Sequence, residues 1–205
     1  GSNLSAQDII EFSEEDKFGF NHVFIATGSR WRKDGIAREN REPIPGLEKL
    51  LILTPDDLFR NVSVKGKVVV FDDEHYYMGG VLAEKLRNEG HDVSLVTPAP
   101  DISHWTHNTM EQGRIQKKLL QIGVKLFPQN NLYSAKDGYV ELACVFTDNI
   151  TQYDCDTLVL VTERIPNDLI YQNLQNEKKE FSKSRIKTIQ LLGDCLAPGI
   201  IASAV

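Results

Sequence analysis

The chain has 205 residues, with 23 Lys and Arg against 29 Asp and Glu and a formal net charge of -6. That length buries the core of one medium domain or two small ones. The acidic balance excludes the basic face that a nucleic acid or an anionic membrane would need, and no long apolar run or signal-peptide pattern marks a membrane segment.

Cys144, Cys155 and Cys195 are widely spaced, with no Cys-x-x-Cys pair. Such a set argues for a reducing, cytoplasmic compartment and against a disulfide scaffold. It also cannot supply the four thiolates of an iron–sulfur cluster.

Ser5 can cap a short helix through Asp8, Ile9, Ile10 and Phe12. Residues 23–26 read as a buried strand, closed by the small-residue turn Ala26-Thr27-Gly28. From 30 to 45 basic residues interleave with Asp34, Glu39 and Glu42, which predicts a surface loop rather than a phosphate site. Pro43-Ile44-Pro45-Gly46 stiffens its end. Thr54-Pro55-Asp56-Asp57 is a helix start with a capping hydroxyl, a proline in the first turn and acids beside it, and Leu58 and Phe59 supply the buried side. Residues 61–66 are expected to form a hinge.

The stretch from 66 to 97 has the ends of a dinucleotide-binding unit. Val68, Val69, Val70 and Phe71 predict a buried parallel strand. Val81, Leu82 and Leu86 recur at helical spacing until Gly90, and Val93, Leu95 and Val96 give the next strand. The turn between them does not fit a phosphate cradle. Where glycines would let the backbone approach a pyrophosphate at the helix N-terminus, this chain has Asp72-Asp73-Glu74-His75-Tyr76-Tyr77. Three carboxylates there repel a dianion, yet they complement the helix dipole. The unit can therefore fold without binding its dinucleotide.

Pro98-Ala99-Pro100 breaks the second strand. His104 and His107 flank Trp105, a spacing that invites a metal, but the sequence offers no third ligand nearby, and a packed or solvated loop is the expectation. Ile115, Leu119 and Ile122 mark an amphipathic helix ending at Gly123, and Val124, Leu126 and Phe127 a strand. Alternation from 131 to 153 predicts a small antiparallel meander. Residues 157–162 form a further buried parallel strand, 182–187 a charged linker and 189–192 a last buried strand. A helix that starts at Pro198 and runs only to Val205 is too short to hold in isolation, which points to a longer polypeptide.

Five motifs together resemble one group of flavoproteins: I-A-T-G-S-R-W at 25–31, P-I-P-G at 43–46, L-T-P-D-D-L-F at 53–59, D-D-E-H-Y-Y-M-G-G-V-L-A-E at 72–84 and L-L-G-D-C-L-A-P-G-I-I-A-S-A-V at 191–205. The group is the C-terminal portion of the trimethylamine dehydrogenase and histamine dehydrogenase class of NADH:flavin oxidoreductase-like proteins, itself similar to 2,4-dienoyl-CoA reductase. The resemblance implies an α/β, Rossmann-like FAD/NAD(P)-binding fold of the glutathione-reductase type with a small antiparallel meander. A partial outer, FAD- or ADP-type domain would take residues 1–62 and 188–205, an inner NAD(P)-type domain 63–167, and a connecting segment 168–187. It further implies an N-terminal (β/α)8 barrel in the same polypeptide that carries FMN, with a [4Fe-4S] cluster beside it, ADP or FAD in the outer domain, and an electron-transfer flavoprotein as a possible acceptor.

By the same resemblance, Thr27 and Gly28 match the turn beside the bound nucleotide, and Asp194 matches the aspartate that contacts a flavin ribityl chain. Asp194 reads equally well as a cap for the following helix. Three departures act in one direction. The glycine turn is acidic, Thr97-Pro98 offers no ribose-binding acid or arginine, and Glu163 stands where nucleotide-binding relatives have glycine, narrowing the cleft and adding like charge. The five histidines are scattered and no serine stands in a nucleophile elbow, so no catalytic residue, metal site or cofactor bound to this chain is expected. Tyr76, Tyr77 and Trp105 read as packing residues. The leading expectation is a non-catalytic module of a larger oxidoreductase; a working NAD(P)H:flavin reductase domain and a free-standing scaffold domain are the alternatives.

Overall fold

A computed structural model describes residues 5–15, 20–176 and 185–199. Its first elements are α1 (Ala6–Glu15), β1 (His22–Ile25), β2 (Ser29–Trp31), β3 (Leu51–Leu53) and α2 (Pro55–Phe59). Then come β4 (Lys67–Asp72), α3 (Met78–Asn88), β5 (Asp92–Val96), α4 (Gln112–Gln121), β6 (Lys125–Phe127), β7 (Asn130–Lys136) and β8 (Tyr139–Cys144). The last are β9 (Ile150–Asp154), β10 (Thr157–Val161), β11 (Arg164–Pro166), α5 (Leu169–Asn176) and β12 (Thr188–Leu191). No described helix is long and apolar enough to cross a membrane.

The chain divides into two compact units, Trp31–Glu163 and Gly1–Arg30 with Arg164–Val205. In the first, five parallel strands lie in the order β3-β10-β4-β5-β6. Strand side chains alternate between faces. Val68, Val70, Val159 and Val161 therefore enter one core with Leu82, Ala83 and Leu86 of α3 and Leu119 of α4. Val69, Phe71, Leu158 and Leu160 enter the other, against Leu132, Val140 and Leu142 of the antiparallel meander β7-β8-β9. The sheet is thus covered by helices on one face and by the meander on the other, as its unbroken apolar strands require.

The expected strand–helix–strand unit forms with small adjustments. Leu82 and Leu86 are fully buried, but Val81 is half exposed, and Ala83 takes the third inward position. Gly90, at φ 94°, turns the chain out of α3. The capping box of α2 is present, with Thr54 and Asp57 bonding reciprocally; Leu58 is buried, whereas Phe59 faces water.

The boundary at 62/63 is corrected to 30/31, because β3 pairs in parallel with β10 and brings Leu53 and Leu58 into the helix-side core. Residues 61–66 are accordingly no hinge between units. Lys65 is clamped inside the same unit: its N–H donates to Thr157 Oγ1 at 3.1 Å, and its carbonyl accepts from that hydroxyl at 2.7 Å. The later boundary moves from 167/168 to 163/164.

In the other unit β1 and β12 form a two-stranded parallel ladder, His22 to Ile25 against Thr188 to Leu191. Both strands were expected to be buried, yet only Ile25 is; Phe24 is 58% exposed and Leu192 44%. Ile10, Leu174 and Cys195 complete its small core. Within the expected connecting segment, α5 forms from Leu169 and supplies Leu174, whose spacing from Ile170 was the available signal. Ser5 and Asp8 cap α1 reciprocally, N–H to Oδ2 at 2.7 Å and N–H to Oγ at 3.2 Å. The predicted start of the linker at 182–184 and the end of the last helix at 200–205 lie outside the described residues.

Candidate functional site

The carboxyl ends of parallel strands form the crevice where α/β sheets bind ligands. Here Asp72 closes β4, Val96 closes β5 and Val161 closes β10. The acidic turn after β4 fills this crevice from within.

A phosphate cradle works by presenting free backbone N–H groups. In this turn those from Asp73 to Tyr76 are already taken. Asp73 N–H donates to the Val161 carbonyl at 2.9 Å, and Glu74 N–H to the same carbonyl at 3.2 Å. Asp72 Oδ1 accepts from Glu74 N–H at 3.1 Å and from His75 N–H at 3.0 Å, and Glu74 Oε2 accepts from Tyr76 N–H at 3.1 Å. Asp72 Oδ2 has no hydrogen-bond partner and lies over the first turn of α3; a Cβ on Gly79 would come within 2.4 Å of it. The glycines of α3 thus admit the chain's own groups. Gly79 makes room for the Asp72 carboxylate, and Gly80 passes close to Ser103 Oγ.

Asp72 and Asp73 are fully buried. Burial pushes the Asp72 carboxyl up to about 7, against the pull of the His75 N–H, while the charge of Glu74 adds to the rise. Asp73 Oδ2 accepts the N–H of Glu39 at 2.9 Å. Its Oδ1 faces His75 Nε2 at 3.1 Å, close enough for an ion pair but not aligned as a hydrogen bond. His75 takes the left-handed backbone, φ 69°, an uncommon conformation for a residue with a side chain.

Two other segments cover the turn. The loop after β2 is more than a solvated surface: Ala37 and Ile44 are buried, and Arg38 lies over the Trp105 ring at 4.1 Å. Trp105 meets His75 edge-on at 6.2 Å, and its N–H donates to the His75 carbonyl at 2.9 Å. Trp105 is a packing residue, as expected. Tyr76 and Tyr77 also pack edge to face at 4.3 Å, and the Tyr77 hydroxyl donates to Glu111. Glu163 does not narrow the crevice as expected. Its side chain is more than half exposed, and its carboxylate lies 3.7 Å from Arg32, which offsets its charge. Arg38, Glu39 and Trp105 carried no signal in the sequence beyond their place in charged or mixed loops.

The outer-site residues lie together in the other unit. Gly28 has φ 73° and open space where a Cβ would stand. Thr27 Oγ1 donates to the Asn167 carbonyl, Asn167 Nδ2 returns a bond to the Thr27 carbonyl at 3.2 Å, and Asn167 N–H reaches the Gly28 carbonyl at 2.9 Å. Asp194 Oδ2 accepts from Arg164 at 2.7 Å and from Ser29 at 3.0 Å, and its Oδ1 from Gly199 N–H at 3.2 Å. Its carboxylate therefore caps the segment that follows and anchors Arg164. Thr27 and Asp194 both direct their polar groups to the chain itself. Cys144, Cys155 and Cys195 are free thiols, and burial pushes that of Cys155 up to about 12.

One cluster was missed. Asp101 supplies a third donor beside His104 and His107, where none was expected from the sequence. The signal was the even spacing of three between the residues.

Fold and turn together define a nucleotide-domain-like α/β unit whose phosphate cradle is filled by its own chain. Residues 53–157, about half of the chain, match the OYE-like second alpha/beta domain, and the chain belongs to that family. It is 38% identical to histamine dehydrogenase from Rhizobium sp. 4-9, with a TM-score of 0.92 over 99% of this chain and 31% of that one. A 6-hydroxypseudooxynicotine amine oxidase from Pseudomonas geniculata N1 is 32% identical, with a TM-score of 0.90 over 99% of this chain and 29% of that one. Dimethylamine dehydrogenase from Hyphomicrobium sp. (strain x) is 28% identical over 98% of this chain and 29% of its own length. The chain thus spans about a third of the length of these oxidoreductases, and the class recognised from the motifs is the right one. A ferredoxin reductase from Rhodopseudomonas palustris, 19% identical with a TM-score of 0.60, shares the fold alone.

Proposed function

We propose that this chain is a non-catalytic module of a larger, cytoplasmic oxidoreductase of the amine-dehydrogenase type. Its inner unit is a nicotinamide-nucleotide domain that has closed its own site. The observation that carries this reading is the use of the turn's N–H groups, Asp73 to Tyr76, by the Val161 carbonyl and by the Asp72 and Glu74 carboxylates. A pyrophosphate would have to displace those acceptors and sit against a buried carboxylate. The redox chemistry then belongs to an N-terminal barrel with FMN and a [4Fe-4S] cluster, which three dispersed cysteines could not ligate here. The module supports that barrel and helps to shape the surface where an electron-transfer flavoprotein docks. Gly28, with Thr27 and Asp194 at the same corner, borders the outer site, where ADP is the ligand that the resemblance to amine dehydrogenases implies.

The test is a thermal-shift titration of the chain with NADH, NADPH, ADP and FAD. A ligand held only by the folded state adds about 2.7 kcal/mol at a hundredfold excess over its Kd. No shift is expected with NADH or NADPH. A saturable shift with either would make the inner unit a working reductase domain and overturn the reading.

A further inference from the structure

The segment that covers the acidic turn presents a second group of side chains, independent of any nucleotide. Asp101, His104 and His107 are spaced by three, and His104–Thr109 is a 3-10 helix. With three residues per turn, positions three apart eclipse one another, which stacks His104 and His107 on one edge; Asp101 precedes that helix across the left-handed Ser103 and reaches both rings with its carboxylate. Asp101 Oδ1 lies 2.7 Å from His104 Nδ1, and its Oδ2 lies 2.7 Å from His107 Nε2. The two rings stand 5.3 Å apart, and one donor atom from each residue falls within 4.8 Å of the others.

The backbone beneath this edge is fixed. Ile102, Ser103 and Thr106 are buried, and Ser103 and Met110 bracket the turn in left-handed conformations, φ 52° and 58°. Thr106 Oγ1 donates to the Ser103 carbonyl at 2.7 Å, and Gln112 Nε2 to the Ile102 carbonyl at 3.1 Å. The three donors therefore stand on a rigid base, while His104 and His107 stay open to water, with side chains 40% and 54% exposed.

We propose that Asp101, His104 and His107 form a binding site for a divalent first-row metal of the zinc class, with water completing the coordination. Two imidazoles and one carboxylate are a donor set that such ions accept. On binding, His104 turns the Nδ1 lone pair and His107 the Nε2 lone pair to the metal. The protons that His104 Nδ1 and His107 Nε2 donate to Asp101 leave those nitrogens for solvent, each neutral ring takes its one proton on the other nitrogen instead, and the two hydrogen bonds to Asp101 are replaced by metal bonds. Tetrahedral ligands at about 2.0–2.1 Å from the ion stand about 3.3 Å apart. To reach that spacing the present 2.7 Å contacts open and donors as far as 4.8 Å apart draw together by side-chain rotation.

The experiment is a Co2+ titration of the full chain followed by visible ligand-field absorption, with Zn2+ as competitor. One equivalent of Co2+ should bind saturably and be displaced by Zn2+. Asp101→Asn, His104→Ala and His107→Ala should each weaken binding by at least about tenfold, since a lost ligand costs no less than a lost supporting contact. Imidazole resonances of the unmodified chain give a readout that no variant can confuse: Zn2+ should shift those of His104 and His107. Absence of saturable binding, unchanged affinity in the variants, or shifts confined to His22, His75 or His91 would each overturn the proposal.

Discussion

Replacing Asp72 by asparagine separates shape from charge at the centre of the acidic turn. The amide would keep a carbonyl oxygen for the N–H groups of Glu74 and His75, which now donate at 3.1 and 3.0 Å, but would never ionise. In the folded chain burial holds the carboxyl of Asp72 near 7, against 3.8 for the free side chain. The folded state thus holds a proton that the unfolded state releases. The stability Asp72 contributes is fully present below pH 3.8 and is lost as pH rises through 7. At 1.36 kcal/mol per unit the whole window is worth about 4 kcal/mol, of which roughly half or more falls between pH 5 and pH 8. Both tryptophans, Trp31 and Trp105, lie in this unit, so fluorescence-detected urea unfolding reports on it directly. The stability of Asp72→Asn relative to the parent should rise by about 2–3 kcal/mol from pH 5 to pH 8. A difference that stays constant over that range would mean that Asp72 does not titrate there, and the account of its burial would fail.

Three further outcomes test the packing and the thiols. Gly79→Ala puts a methyl 2.4 Å from Asp72 Oδ2 and should cost about 1–3 kcal/mol in urea melts, most of it recovered in the double variant with Asp72→Ala. A neutral Gly79→Ala would mean that the carboxylate does not occupy that space. Thr54→Ala removes the capping box of α2 and should lower stability by about 1 kcal/mol, measured in the same assay. Hydrogen bonds from Thr147 and Phe146 lower the Cys144 thiol, whereas burial raises that of Cys155. Iodoacetamide followed by peptide mass spectrometry should therefore find Cys144 modified first, and equal rates at the two would refute the assignment.

Elements stabilised by the burial of their own residues were readable before folding. The apolar run of β4, the meander's alternation, the cap at Thr54 and the stop at Gly90 each follow from local sequence and reappear in place. The acidic residues standing where a glycine turn would lie were equally plain. Sequence alone therefore determined the class of fold and the acidic character of the turn after β4.

Tertiary structure decided how that site is closed. No local pattern shows that the Val161 carbonyl, 88 positions beyond Asp73, takes the turn's N–H groups, or that from the loop after β2 Glu39 reaches Asp73 and Arg38 covers Trp105. Only sheet order showed that β3 belongs beside β10, which moved the boundary back to Trp31. Asp101 joined His104 and His107 because the turn through the buried Ile102 and the left-handed Ser103 brings its carboxylate beside a 3-10 helix on which the two histidines share one edge. Hydrogen-bond partners and close approaches across long stretches of chain depend on how elements stack, and a one-dimensional pattern carries only what neighbours in the chain impose on one another.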